Sequence, residues 1–206
     1  MQVLVLGIGN VLWADEGFGV RAVEALNEAY EYPAEVVLLD SGTQGLYLLD
    51  YVCSARRLLL FDAIDFGLPA GSLKVLRDGD VPAWSAVKMS LHQTSFQELL
   101  SLAQLKGRMP ERMTLIGVQP EDLSDFGGSL RASVHARVAE AVAIAARELA
   151  DWGYPPRSRA AKAAAVRLNA APLALDSYEA GRPSAEVACR AGDARFLNIR
   201  AKQGLG

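Results

Sequence analysis

QVLVLGIGNVLWADEGFGV, residues 2–20, passes from an apolar run through a glycine turn into a pair of acids, Asp15 and Glu16. A short, unbroken apolar run such as residues 2–8 suits a strand buried on both faces, the kind found in parallel sheets covered by helices. Val20, Val23, Leu26 and Tyr30 then recur at helical spacing. The opening therefore reads as strand, loop and helix, with two carboxylates at the tip of the strand.

The same alternation continues outward. AEVVLLD (34–40) and RLLLFDAI (57–64) read as a second and a third strand, with a short helix in TQGLYLLDYVCSA (43–55) between them. GSLKVLRD (71–78), after the Pro and Gly of GLPAGS, reads as an extra strand, and DGDVPAWSAV (78–87) as irregular chain. TSFQELLSLAQL (94–105) predicts a helix with Thr94 or Ser95 as its N-cap. RMTLIGVQP (112–120) predicts another strand, and Leu130, Val134, Val138, Val142 and Leu149 form one helical stripe over residues 129–150. Strands alternating with helices predict an α/β fold, a mainly parallel sheet sandwiched by helices in three layers. Functional residues are then expected beyond the carboxyl ends of the strands.

Composition narrows the class. The chain has 206 residues, 51% of them hydrophobic, which is ample for one core. It has no apolar run of about 18 residues, so no membrane insertion is expected. Met1 leads straight into the first strand without a basic leader, so cytoplasmic residence is the expectation. Cys53 and Cys189 stand far apart in dissimilar contexts and offer neither a disulfide framework nor a metal-binding cysteine pair. Cys53, within an apolar helical pattern, reads as core. The net charge of −3 carries no nucleic-acid footprint. The charge is unevenly spread: residues 155–206 hold nine Lys and Arg against four Asp and Glu. Two prolines at 155 and 156 end the long helical pattern. Residues 1–154 are accordingly read as the globular body, and 155–206 as a basic, Ala-rich C-terminal extension with partial disorder expected.

Each of the first three apolar runs terminates in carboxylates: Asp15 and Glu16, then Asp40, then Asp62. For one acid a polar strand end is the simpler reading, since Asp is a good turn residue. Three on one edge of a parallel sheet repel one another and call for a cation. His92, just before the 94–105 helix, could complete a partial coordination sphere with two carboxylates, whereas His135 falls beside the apolar stripe and reads as solvated. A nucleotide loop is the rival. Gly7 and Gly9 fit its pattern, but Leu12 stands at the third glycine, and acids occupy the place of a pyrophosphate. The chain has no Walker lysine motif and no G-x-S-x-G nucleophile elbow.

GIGNVLWADEGFGV, LLDSGT, FDAID, SLHQ and LIGVQPE together resemble the hydrogenase maturation proteases, in that family's order and at similar spacing, over most of residues 1–150. These endopeptidases trim the C-terminus of the large-subunit precursor of nickel–iron hydrogenases. The resemblance implies a twisted sheet between helices and a metal-recognition site of Glu16, Asp62 and His92, with either carboxylate available as base. It implies a supporting, recognition role for Asp40. Nickel is expected to arrive with the precursor, other divalent ions being able to substitute. The extension resembles tails of longer members that serve membrane-bound uptake hydrogenases, and a monomer is expected. The alternatives are a nickel-sensing chaperone that cleaves nothing and a nucleotide-binding α/β domain. Within the opening loop, Asp15 is expected to support the loop or cap the first helix. Gly7 and Gly9 are expected to allow a sharp turn, and Gly17 and Gly19 to let a partner peptide approach. Trp13 and Phe18 are expected to pack beneath the loop.

Overall fold

The computed structural model describes residues 1–42, 45–85, 91–159 and 165–182, the side chains of 83–85 and 91–95 excepted. Strand β1 (Val3–Ile8) leads through a 3-10 turn (Ala14–Gly17) into helix α1 (Phe18–Ala29). The short β2 (Tyr30–Glu31) precedes β3 (Val36–Gly42), which is followed by a 3-10 turn (Gly45–Leu48) and α2 (Leu49–Ser54). Then come β4 (Arg57–Ala63), β5 (Leu73–Arg77), α3 (Asp80–Ser85) and α4 (Leu91–Leu105). β6 (Arg112–Val118), α5 (Ala132–His135), α6 (Val138–Asp151), β7 (Arg157–Ser158) and α7 (Leu175–Gly181) complete the order.

The main sheet runs β3-β1-β4-β6-β5. Its first four strands are parallel, and β5 pairs antiparallel with β6 at one edge. The expected three-layer α/β fold is therefore present. Alternate residues of the strands feed two cores. Val3, Val5, Leu59, Phe61 and Ile116 meet α1 and α6, while Leu4, Leu6, Leu58, Leu60 and Leu115 meet α2 and α4. Both faces are apolar, so each strand is a continuous apolar run. Burying a side chain such as Leu59 or Phe61 contributes about 1.5–3 kcal/mol relative to leaving it in water.

Three details differ from expectation. The described part of helix α4 runs from Leu91, which places Thr94 and Ser95 inside it rather than at its cap. The 129–150 stripe is split into α5 and α6, because the Arg137 amide bonds the carbonyl of Val134, three residues back, and tightens the helix there. Residues 80–85 are helical where irregular chain was expected. Among the described residues, no helix is long and apolar enough to cross a membrane.

The described part of the extension lies against the body. β7 pairs with β2, and Arg159 donates to the carbonyls of Asn27 and Tyr30 and to Glu31. Leu168 packs on the α1–α6 core.

Candidate active site

In the parallel register Gly7 lies level with Asp40 on one side and with Phe61 on the other. The end of β1, Asp40 and Asp62 thus reach one edge of the sheet, as the apolar runs implied. Strand parity then divides them. Asp40 follows Val36 and Leu38, which face α1 and α6, whereas Asp62 follows Leu58 and Leu60, which face α2 and α4. The acids share an edge but not a face.

Glu16 sits in the 3-10 turn with its Oε2 buried. The turn is folded back onto the strand end: the amide of Asn10 donates to the Glu16 carbonyl at 3.2 Å. Gly9 makes this possible. Its φ is +139°, and a Cβ there would lie 1.8 Å from the Glu16 carbonyl oxygen. The Asp62 carboxyl is held well above the usual carboxylate range, chiefly by burial and further by the negative charge of Glu16, against a hydrogen bond from the Ala63 backbone. Glu16 and Asp62 are therefore electrostatic neighbours. His92 lies on the first turn of α4, the helix that covers the Asp62 face, and its side chain is outside the described residues. Among the described residues no group of three His, Cys, Asp or Glu is arranged to hold a metal ion.

Asp15, one residue before Glu16, has a different setting. It is fully buried. Its Oδ2 accepts the amides of Glu121 and Asp122 at 2.8 and 2.9 Å, and its Oδ1 accepts the amide of Arg131 at 2.7 Å. It thus clasps the loop after β6 to the loop after β1. Helix α1 has Gly17 at its N-cap and no side-chain cap, so Asp15 supports the loop and does not cap the helix. Arg131 pairs with Asp122 at 2.5 Å and Asp125 at 2.9 Å within the same loop. Gln119, which the sequence reading did not single out, organises the chain after β4. Its Oε1 accepts the amides of Phe66 and Leu68 at 2.7 and 3.1 Å. The signal available was a lone amide ending an apolar run, in GVQPE.

On the other face Asp40 meets Glu24 of α1 and Asn169 of the extension. Asn169 donates to both Glu24 and Asp40, the latter at 3.4 Å. Asp40 also accepts the Gly42 amide at 2.9 Å. Arg21, nearly buried, pairs with Glu24 at 2.9 Å and donates to the carbonyl of Leu173. Burial is the main reason that the Glu24 carboxyl lies above its ordinary value; Arg21 and Asn169 pull it down, and Asp40 adds to the rise. Asn169 and the Arg21 bond to Leu173 left no sign in the sequence, because these contacts span more than a hundred residues.

Two loop expectations change. Gly17 and Gly19 do not face outward to a partner: both are buried, and a Cβ on Gly19 would meet the carbonyls of Ile8 and Phe61 at 2.1 and 2.3 Å. Phe18 is fully buried in the core, while Trp13 remains partly exposed. His135 is exposed and Cys53 packs partly buried against the α2–α4 core, both as expected. Cys189 lies outside the described residues. A shallow groove of about 500 Å³ runs between the Gly45–Leu48 turn and α4, lined by Leu46, Gln97, Glu98, Ser101 and Leu102.

Comparison with known proteins fits this arrangement. The family model described as HycI, hydrogenase maturation protease, matches residues 20–148. The chain is 55% identical to the hydrogenase expression/formation protein HoxM of Cupriavidus necator over 95% of this chain and 98% of that one. It is also 55% identical to HupD of Rhodobacter capsulatus, over 98% and 95% of the two chains. Its fold matches the hydrogenase maturating endopeptidase HybD of Escherichia coli with a TM-score of 0.74 and 38% identity, covering 77% of this chain and 98% of HybD. The similarity to HoxM and HupD thus runs on into the extension. A sheet edge carrying Glu16 and Asp62, the motifs around it and these likenesses lead to one conclusion: the chain belongs to the hydrogenase maturation protease family.

Proposed function

We propose that this protease removes the C-terminal peptide of the large-subunit precursor of a nickel–iron hydrogenase of the membrane-bound uptake type, once nickel is in place. Glu16, Asp62 and His92 recognise the nickel that the precursor brings, Asp40 supports that recognition from the other face, and the chain acts as a cytoplasmic monomer. The observation that carries this reading is the juxtaposition of Glu16 and Asp62 at the carboxyl edge of the sheet, on the side covered by α4. Two adjacent carboxylates repel, and a cation relieves them.

The donor set fits such an ion. Two carboxylates and an imidazole, without a thiolate, make an exchangeable site for a borderline metal with open positions, in contrast to the closed Cys and His sites of structural zinc. Other divalent ions could occupy it. Nickel held there would polarise the scissile carbonyl. The chain supplies the rest. A carboxylate of Glu16 or Asp62 not engaged by the metal takes the proton of the attacking water and passes it to the leaving amine. The raised affinity of Asp62 for protons suits it to that task. The groove beside Leu46 and Leu102 lies on the α4 face and offers the peptide an apolar wall.

The test is the mass of nickel-loaded precursor before and after incubation with the protein. Loss of a C-terminal peptide is expected, with nickel-free precursor left uncut even when zinc is supplied. Protein purified without added metal should contain far less than one equivalent of it. A stoichiometric zinc, removed by chelation together with activity and restored by zinc alone, would overturn nickel-dependent recognition. Binding of loaded precursor without any change in mass would identify a chaperone instead.

A further inference from the structure

The loops after β1 and β6 are joined by polar contacts and carry large apolar side chains on their outer surface. Asp15, fully buried, gathers three amides, and Arg131, half-buried, gathers two carboxylates. Outside, Phe126 is 56% exposed and Leu12 39% exposed. Trp13 stands edge-on to Phe126, with ring centres 5.1 Å apart and planes at 62°. The two residues also form an isolated antiparallel bridge, and the Gly127 amide donates to the Leu12 carbonyl at 2.7 Å. The Leu12 amide is itself held by the Asn10 side chain at 3.0 Å. Ala14, between Trp13 and Asp15, has φ +40°, a strained conformation for a residue with a Cβ. The apolar side chains are thus fixed on a stiff frame, so little conformational freedom is lost when something binds them.

We infer that Leu12, Trp13 and Phe126 form the docking platform on which the folded body of the hydrogenase precursor rests during cleavage, an inference built on the function proposed above. Continuity selects this occupant. Trp13 is three residues before Glu16 in the same turn-containing loop, so a protein presenting its cleavage segment to Glu16 and Asp62 must come down beside the platform. An exposed aromatic held in a rigid frame beside the reacting site has the character of an interface anchor. Charge gives the partner's chemistry: Glu121 is exposed on the Phe126 loop, and Asp122 and Asp125, paired there with Arg131, leave one further negative charge. The matching surface carries an apolar side chain flanked by Lys or Arg. The platform sets affinity for the precursor and leaves the chemical step alone.

The experiment compares Phe126→Ser and Leu12→Ser with the wild type in cleavage of nickel-loaded precursor and in binding to the same precursor immobilised on a surface. Both side chains are exposed, so thermal unfolding should be unchanged. KM and Kd are expected to rise about tenfold, equivalent to ~1.4 kcal/mol, with kcat unaltered. Phe126→Leu should recover most of the loss. KM and Kd within about twofold of wild type for both Ser variants, with the precursor still cut, would overturn the platform and leave the protease reading intact. A wild-type protein that binds but does not cut, with Phe126→Ser binding about tenfold more weakly, would support the platform while refuting the proposed cleavage.

Discussion

Two pairs of acids stand at the same edge of the sheet, on opposite faces. Glu24 and Asp40, on the α1 face, share the amide of Asn169, and Arg21 sits against Glu24. Glu16 and Asp62, on the α4 face, act on one another as like charges, and desolvation of Asp62 further disfavours its charged form. The chain supplies its own guanidinium and amide to the first pair. The first pair is thereby tied into the packing of α1 against the extension. The second is the one whose repulsion an incoming cation would remove. Carboxylates at a strand end are thus distinguished less by position than by what the chain has arranged around them.

The most severe way to break this contrast is to neutralise the second pair. Glu16→Gln and Asp62→Asn, together with His92→Ala, should each lower kcat/KM for precursor cleavage about a thousandfold. Asp62→Asn should keep or raise the melting temperature, because it removes a desolvated carboxyl whose charge Glu16 opposes. A variant cutting at the wild-type rate would remove that residue from the site.

Asp15 sharpens the comparison from the other side, as a buried acid already satisfied by three amides. Asp15→Ala should destabilise the fold by about 3 kcal/mol in urea unfolding, since those donors lose their acceptor. Asp15→Asn retains one good acceptor oxygen and should lose less. If Asp15→Ala unfolds like the wild type, the clasp between the two loops contributes nothing to stability.

On the α1 face the expected effects are smaller. Asn169→Ala should lower stability by about 1 kcal/mol and leave kcat for loaded precursor near wild type, the reverse of the pattern for Asp62→Asn. A large fall in kcat would mean that the extension reaches into catalysis. The smallest effect concerns pH. The Glu24 carboxyl of the folded chain holds its proton above its ordinary value of 4.5, so the folded state binds a proton that the unfolded chain has released. That contribution to stability is complete below about pH 4.5 and is lost as pH rises through the raised folded value. Glu24→Gln should flatten this part of the stability profile; an unchanged slope would show that another group is responsible.

Much of this edge could be read directly from the sequence. Apolar runs that stop at Asp40 and Asp62 mark strand ends, and the DEG turn after β1 places Glu16 beside them. The face of each acid could not be read in the same way. Strands apolar on both sides lose the alternation that would tell odd residues from even, and parity emerges only once helices cover each face. The partners of Asp15 were hidden for a different reason. Its acceptors hold amides 106 to 116 residues away, and backbone donors leave no mark in a sequence. Asn169 and Arg21 likewise join parts of the chain that no local pattern links. The early start of α4 escaped because Thr94 and Ser95 look like caps wherever a helix contains them near its beginning.

Gly19 has one more implication. A single added carbon at this position would strike the Ile8 and Phe61 carbonyls together, and these belong to the two strands whose ends lead to Glu16 and Asp62. The hydrogen atom that serves as its side chain is therefore a gauge block: it sets how closely α1 can press on both strands at once. Any thicker residue would move the helix off both strands in one motion and reset the gap between two carboxylates to which it never bonds.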